Sequence, residues 1–174
     1  LWDNYDGVDD RYKYRIRIYN YSDKVIKLEK KGTLHGLKTK ESCVITRQQY
    51  EQIIQDEEVE YDRGSQSLLE RFLTEKSYQL FEPKVIVEYT RTPYVYSAGN
   101  VRVTFDRKIL SAPPDDFFRK DIPVRPVLAD GMGLLEVKYD EYLPGAIREA
   151  IGVGNSIHRI SFSKYAMCRE HSVI

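Results

Sequence analysis

The sequence predicts an α+β fold: an antiparallel β-sheet, closed or nearly closed into a barrel, with a few flanking helices. Three observations predict it. Five segments alternate apolar and charged residues with period two, the spacing of strands with one buried face. Two segments between them place apolar residues at helical spacing. The connections are short and rich in Asn, Asp, Ser and Gly, which suits antiparallel neighbours.

The elements follow in order. "RYKYRIRIYN" puts Lys13, Arg15 and Arg17 on one face and Tyr14, Ile16 and Ile18 on the other. "NYSD" (Asn20 to Asp23) is turn chemistry, so Lys24–Lys31 returns as the second arm of a hairpin. There Val25, Lys27, Glu29 and Lys31 oppose Ile26, Leu28 and Lys30. "GLKTKESCVIT" reads as a third strand, with Cys43 out of phase with Lys40 and Ser42 and therefore toward the core. Thr46 caps a helix, "TRQQYEQIIQ", with Tyr50, Ile53 and Ile54 as its apolar positions. An acidic linker, "DEEVEYDRGS", leads to a second helix, "SLLERFLTEKSYQL", striped by Leu68, Leu69, Phe72 and Leu73. "PKVIVEYTRTPYVY" and "NVRVTFDRKI" are strands paired through "SAGN", with Pro83 at the mouth of the first. A Pro-rich loop precedes the strand "LLEVKYDEYLP". "PGAIREAIGVG" and "FSKYAMCREH" are short helices, the former with Pro144 near its start. No internal repeat and no second domain is expected, so residues 1–174 read as one domain.

Composition narrows the function. The chain is long enough for a real core, and its hydrophobic (41%) and charged (31%) fractions are those of a folded domain rather than a disordered one. Lys+Arg and Asp+Glu are both 27, so a broadly basic nucleic-acid surface is not expected and any anion site must come from local clustering. No apolar run approaches the ~20 residues of a membrane span, and no signal-peptide pattern is present. Cys43 and Cys168 form neither a disulfide framework nor a metal spacing, and read as free thiols in a reducing, cytoplasmic compartment. His35, His158 and His171 are too scattered for a zinc site, and Trp2 reads as a packing residue.

The charged strand faces are the informative feature. Arg15 and Arg17 oppose Ile16 and Ile18; Lys27, Glu29 and Lys31 oppose Ile26 and Leu28. Arg102, Thr104 and Asp106 oppose Val101, Val103 and Phe105; Glu136 and Lys138 oppose Leu135 and Val137; Tyr89 and Arg91 share a face. A solvated face mixes Thr, Ser, Gln, Glu and Lys, whereas Arg and Lys dominate here. If the sheet closes, these cations line a lumen and repel one another unless a ligand of opposite sign sits among them. Phosphate is the natural partner, since Arg makes planar two-point contacts and Lys a compact one. The few acids on these faces, Glu136 above all, then serve a divalent cation with oxygen ligands. Glu29 serves either a metal or an internal salt bridge to Lys27 and Lys31.

The blocks "YRIRIYN", "IKLEKK", "KES", "EYTRTPYVY", "GNVRVTFDR", "LLEVKYDEYLP" and "SFSKY" occur in this order. Together they closely resemble the VTC domain. That is the polyphosphate polymerase domain of the vacuolar transporter chaperone complex, with its stand-alone bacterial relatives, within the triphosphate tunnel metalloenzymes. The resemblance covers essentially the whole chain. It implies an antiparallel tunnel barrel and Mn²⁺- or Mg²⁺-dependent transfer of the ATP γ-phosphate to a growing polyphosphate chain. By that resemblance Arg15 and Arg17 match the paired phosphate-binding arginines, and Lys31 and Lys40 two lysines of the following strands. Tyr89, Arg91 and Arg102 match residues that contact nucleotide or polyphosphate, Glu136 the metal ligand, and Ser163 and Lys164 the closing motif. Parity places Arg15, Arg17, Lys31, Arg102, Glu136 and Lys138 on the charged faces independently, and these are expected to converge on one lumen.

Two departures stand out. Ser161 occupies a position that is basic in the eukaryotic closing motif, which removes one phosphate contact. The earlier family strand of the type E-x-K-Y is absent and the chain begins at Leu1, so an N-terminal truncation is expected. Three functions share these residues: polyphosphate polymerase; a triphosphatase, when water rather than phosphate attacks; or a non-catalytic module that binds polyphosphate or nucleotide. The implied partners are ATP and inorganic polyphosphate or triphosphate, with a membrane-protein partner unidentified.

Overall fold

A computed structural model of the chain describes residues 11–35, 37–152, 160 and 162–172. Trp2, His158 and Ser161 lie outside the described residues. The fold is α+β, with two antiparallel sheets and four α-helices among the described residues. The chain divides into two compact units. The first takes the described residues up to Pro83 with Asp116–Asp121; the second takes Lys84–Asp115 and the described residues from Ile122 onward.

In the first unit β1 (Arg11–Tyr19), β2 (Ser22–Leu34) and β3 (Leu37–Ile45) form a meander in that order. The first hairpin closes through Asn20 and Tyr21, both with positive φ (52° and 57°), the turn geometry that matches strand twist. Ile26 and Leu28 are fully buried, and Tyr14, Ile16, Ile18, Cys43 and Ile45 share their cluster, as the alternation requires. Helices α1 (Arg47–Gln55) and α2 (Ser67–Gln79) supply Tyr50, Ile53, Leu68, Leu69 and Phe72 to the same core. The Thr46 hydroxyl accepts from the Gln49 amide, and the Gln49 side chain accepts from the Thr46 amide, each at 3.0 Å, which fixes the start of α1.

One position here differs from expectation, and another carries a charge on the apolar face, as its alternation requires. Ile54 points outward and is 43% exposed, because Tyr50 and Ile53 already fill the face of this short helix. Lys30 lies on the apolar side of β2, where its stem is covered. Its Nζ meets Glu75 of α2 at 2.7 Å and sits 3.9 Å from the Tyr12 ring centroid, so the cation is paired where it is desolvated.

In the second unit β5 (Val101–Ala112) is central. Strand β4 (Ile86–Tyr96) pairs with one of its sides. Two more strands, β6 (Arg125–Pro126) and β7 (Gly133–Lys138), pair with its other side, β6 at Leu110 and Ser111 and β7 at Arg102–Arg107. Pro93 is tolerated within β4 because that strand is at an edge. The β4–β5 register slips between Glu88 and Thr90, where Lys108 takes φ 49°, so a bulge re-aims the chain between Arg107 and Ile109. Helices α3 (Gly145–Gly152) and α4 (Lys164–Ser172) follow. Ile109, Val127 and Cys168 form the buried core, and the Ser111 hydroxyl donates to the Cys168 carbonyl at 2.8 Å.

The expected barrel does not close among the described strands, which fall into two sheets. The physical reason is local: β3 runs into the Thr46 cap, and two helices intervene before the next strand, so no following strand pairs with β3. Phe105 is also a correction. It was expected in the core, yet it is 41% exposed and packs edge-on against Tyr94, with centroids 5.8 Å apart. Burial on β5 is shared by both faces: Val101 and Val103 are buried on the side of Phe105, and Thr104 and Asp106 on the other.

Candidate functional site

The expected site residues gather as two groups, one in each unit. In the first unit the register sets Arg15 opposite Glu29, Glu29 opposite Ser42, and Lys31 between Lys13 and Lys40. Arg15, Arg17, Glu29, Lys31 and Lys40 therefore share the face that points away from the apolar core. Glu29 is buried beneath the others. Its carboxylate accepts from Arg15 Nε at 2.7 Å and lies 3.4 Å from Lys40 Nζ. Of its two expected roles the salt bridge is observed, but to cross-strand Arg15 and Lys40 rather than to Lys27 and Lys31. Cross-strand neighbours stand closer than residues two apart on one strand.

Burial alone would raise the Glu29 carboxyl. The Arg15 hydrogen bond and the charges of Arg15, Arg17 and Lys40 outweigh it and hold the group below its ordinary range. Lys31 shows the opposite balance. Burial first, then repulsion from Arg15, Arg17 and Lys40, lowers its ammonium from 10.5 to about 8 against the pull of Glu29. One buried carboxylate thus stands among four cations, and Lys31 registers the uncompensated positive field.

In the second unit Arg102 stands opposite Lys138, Thr104 opposite Glu136, and Arg91 opposite Asp106. Arg91, Arg102, Thr104, Glu136 and Lys138 line a recess of about 60 Å³. Asp106, fully buried, accepts from Arg91 Nε and Nη2 at 2.6 and 2.7 Å and pairs with Lys164 Nζ at 2.7 Å. Burial would raise the Asp106 carboxyl, but the Arg91 and Lys164 contacts hold it low. The same Asp106 hydrogen bond pushes Arg91 up.

Tyr89 packs against the unit's core, its ring centroid 5.2 Å from the Arg91 guanidinium and 5.4 Å from Lys164 Nζ. The Ser163 hydroxyl accepts from the Ala166 amide at 3.3 Å at the start of α4, which aims Lys164 at Asp106. Glu136 makes two longer ion pairs, 3.7 Å to Arg91 and 3.3 Å to Lys138. Arg102 has no side-chain partner among the described residues.

Asp106 is the functional candidate that residue-by-residue matching passed over. Its signal was present, since it shares parity with Arg102 and Thr104. What the sequence does not show is that α4 returns Lys164 to it, so that one carboxylate holds two of the site's cations in place.

The donor set bears on the expected metal. No group of three or more His, Cys, Asp or Glu side chains gathers among the described residues. Glu136 is the carboxylate that lines the recess. A Mg²⁺-like ion held by one or two carboxylates and otherwise by substrate phosphates fits this set, and an all-protein cage does not.

The family model of the VTC domain matches residues 1–173. No curated protein matches the chain. Among the described residues no helix is long and apolar enough to cross a membrane.

Proposed function

The chain belongs to the VTC domain family, which ties it to polyphosphate-related function, and on that ground we propose that it transfers the γ-phosphate of ATP to a growing polyphosphate chain. One observation carries the reading: on each sheet cations outnumber the carboxylates they surround, with Glu29 among Arg15, Arg17, Lys31 and Lys40 in one, and Asp106 and Glu136 among Arg91, Arg102, Lys138 and Lys164 in the other. Such a face is unfavourable alone and is completed by a polyanion.

Arg15, Arg17, Lys31 and Lys40 bind phosphates on the first unit, and Arg91, Arg102, Lys138 and Lys164 bind phosphates on the second. A terminal oxygen of the polyphosphate attacks the γ-phosphorus, the bond to the β-phosphate oxygen breaks, and ADP leaves with that electron pair. No general base is needed, because the attacking phosphate oxygen is already ionised; positioning and charge neutralisation suffice. Asp106 holds Arg91 and Lys164 rigid, so little reorganisation is required as charge shifts. Glu136 would hold Mn²⁺ or Mg²⁺ together with the phosphates, and such an ion supplies further neutralisation of the transferred group. The tunnel barrel belongs to this proposal rather than to the observed fold, as does a cytoplasmic setting in which Cys43 and Cys168 stay free thiols.

The test is incubation of the protein with Mn²⁺ and ATP, separating the products by length. ADP with long polyphosphate is expected. Free phosphate in place of polymer identifies a triphosphatase, and binding without turnover identifies a non-catalytic module. Glu136→Gln should lower turnover on the order of a hundredfold while metal-free polyphosphate binding persists, since a negative charge leaves the phosphate face. Superimposable Mn²⁺ titrations of parent and variant remove Glu136 from metal binding.

A further inference from the structure

We propose that Thr104 contacts the substrate, its hydroxyl donating to a phosphoryl oxygen seated on Arg102 and Lys138. The inference rests on the phosphate reading above and adds a residue that parity and family likeness leave without a role.

Thr104 is in the middle of β5 and only 4% exposed. Its Oγ1 is buried and has no hydrogen-bond partner. A hydroxyl in this state has lost its water and gained nothing, whereas valine would fill the same volume without that cost. The side chain faces the recess whose other walls are Arg91, Arg102, Glu136 and Lys138. Its cross-strand neighbour, Glu136, does not take the hydroxyl proton, for the Glu136 carboxylate is turned to Arg91 and Lys138.

Two residues back on the same face is Arg102, the guanidinium with no side-chain partner among the described residues, and opposite it is Lys138. An uncommitted guanidinium, an ammonium and an orphan hydroxyl around one small recess match a group with several acceptor oxygens. A phosphoryl group offers a tetrahedral set: two oxygens for the Arg102 fork and another for Thr104.

The experiment compares Thr104→Val and Thr104→Ser with the parent, measuring tripolyphosphate and orthophosphate affinity by calorimetry and thermal stability without ligand. Thr104→Val should weaken tripolyphosphate about tenfold, the scale of one hydrogen bond to a charged group, while its unliganded melting temperature stays level or rises. Thr104→Ser should bind within about threefold of the parent, a residual that reflects the missing methyl rather than the hydroxyl. Opposite movement of affinity and stability is the signature, because a structural hydroxyl would lower both. Thr104→Val that fails to fold, or melts lower, overturns the assignment. So does Thr104→Val that binds like the parent while Arg102→Ala loses binding, and that result leaves the phosphate reading intact. A parent that binds neither anion overturns both.

Discussion

At the scale of single residues, the informative quantity is the proton on Lys31. Its ammonium is held at about 8 by burial and by repulsion from Arg15, Arg17 and Lys40. The unfolded chain keeps that proton to about 10.4, so between these values the unfolded state binds more protons and the unliganded protein gains stability as pH rises. A polyanion favours the charged amine, so binding takes up a proton in the same window. Tripolyphosphate affinity should therefore fall between pH 8 and 10, with net proton uptake near pH 9 seen as a dependence of the binding heat on buffer ionisation. Lys31→Gln should remove that uptake. Equal buffer dependence in parent and variant would show that Lys31 does not meet the anion. The sequence placed Lys31 on the charged face by parity, but not its lowered affinity for a proton, which comes first from its burial and then from Arg15, Arg17 and Lys40 set around it by the register.

At the scale of elements, the β4–β5 hairpin aligns the recess, and its turn is tightly specified. Gly99 has φ 74°, and a Cβ there would stand 2.8 Å from the Tyr142 carbonyl oxygen. Gly99→Ala should cost about 1–3 kcal/mol, from the left-handed backbone and the forced shift of Tyr142, read as a lower melting temperature. An unchanged melt would mean that the turn relaxes freely. Here "SAGN" was readable as a turn from composition alone, as were "NYSD" and the Thr46 cap, since these signals are local. The bulge at Lys108 was not: "FDRKIL" breaks the alternation with three charged residues in a row, but that break does not say where the ladder slips, which is set by the pairing of Glu88 and Thr90 across it. The two-residue β6 was hidden for a related reason: Arg125 and Pro126 show no alternation and form a strand only because β5 offers Leu110 and Ser111 as partners. Phe105 reads as core by parity, as Val101 and Val103 of the same face are, yet it is exposed and packs only edge-on against Tyr94, which parity does not show.

At the scale of the whole molecule, a chain of formal net charge +0 concentrates its cations on strand faces and spends many of its acids elsewhere, as in Glu41 with Arg71 and Asp56 with Lys76. Neutral overall charge therefore coexists with two cationic faces, which is what the proposed binding of a polyanion requires. Family membership and the identities of the cations were legible in the order of the sequence blocks. The division into two sheets was not, because closure depends on which edge strands meet, and edge pairing leaves no mark in alternation. The central claim is that these faces are built for a phosphate chain. It is tested most directly by calorimetric titration of tripolyphosphate into the parent and into the Arg15→Ala, Arg17→Ala double variant, at low and raised salt, with circular dichroism confirming the variant's fold. The account predicts that the parent binds, that its affinity falls as salt screens the charges, and that the double variant binds at least about a hundredfold more weakly. A folded double variant that binds tripolyphosphate as the parent does would contradict it.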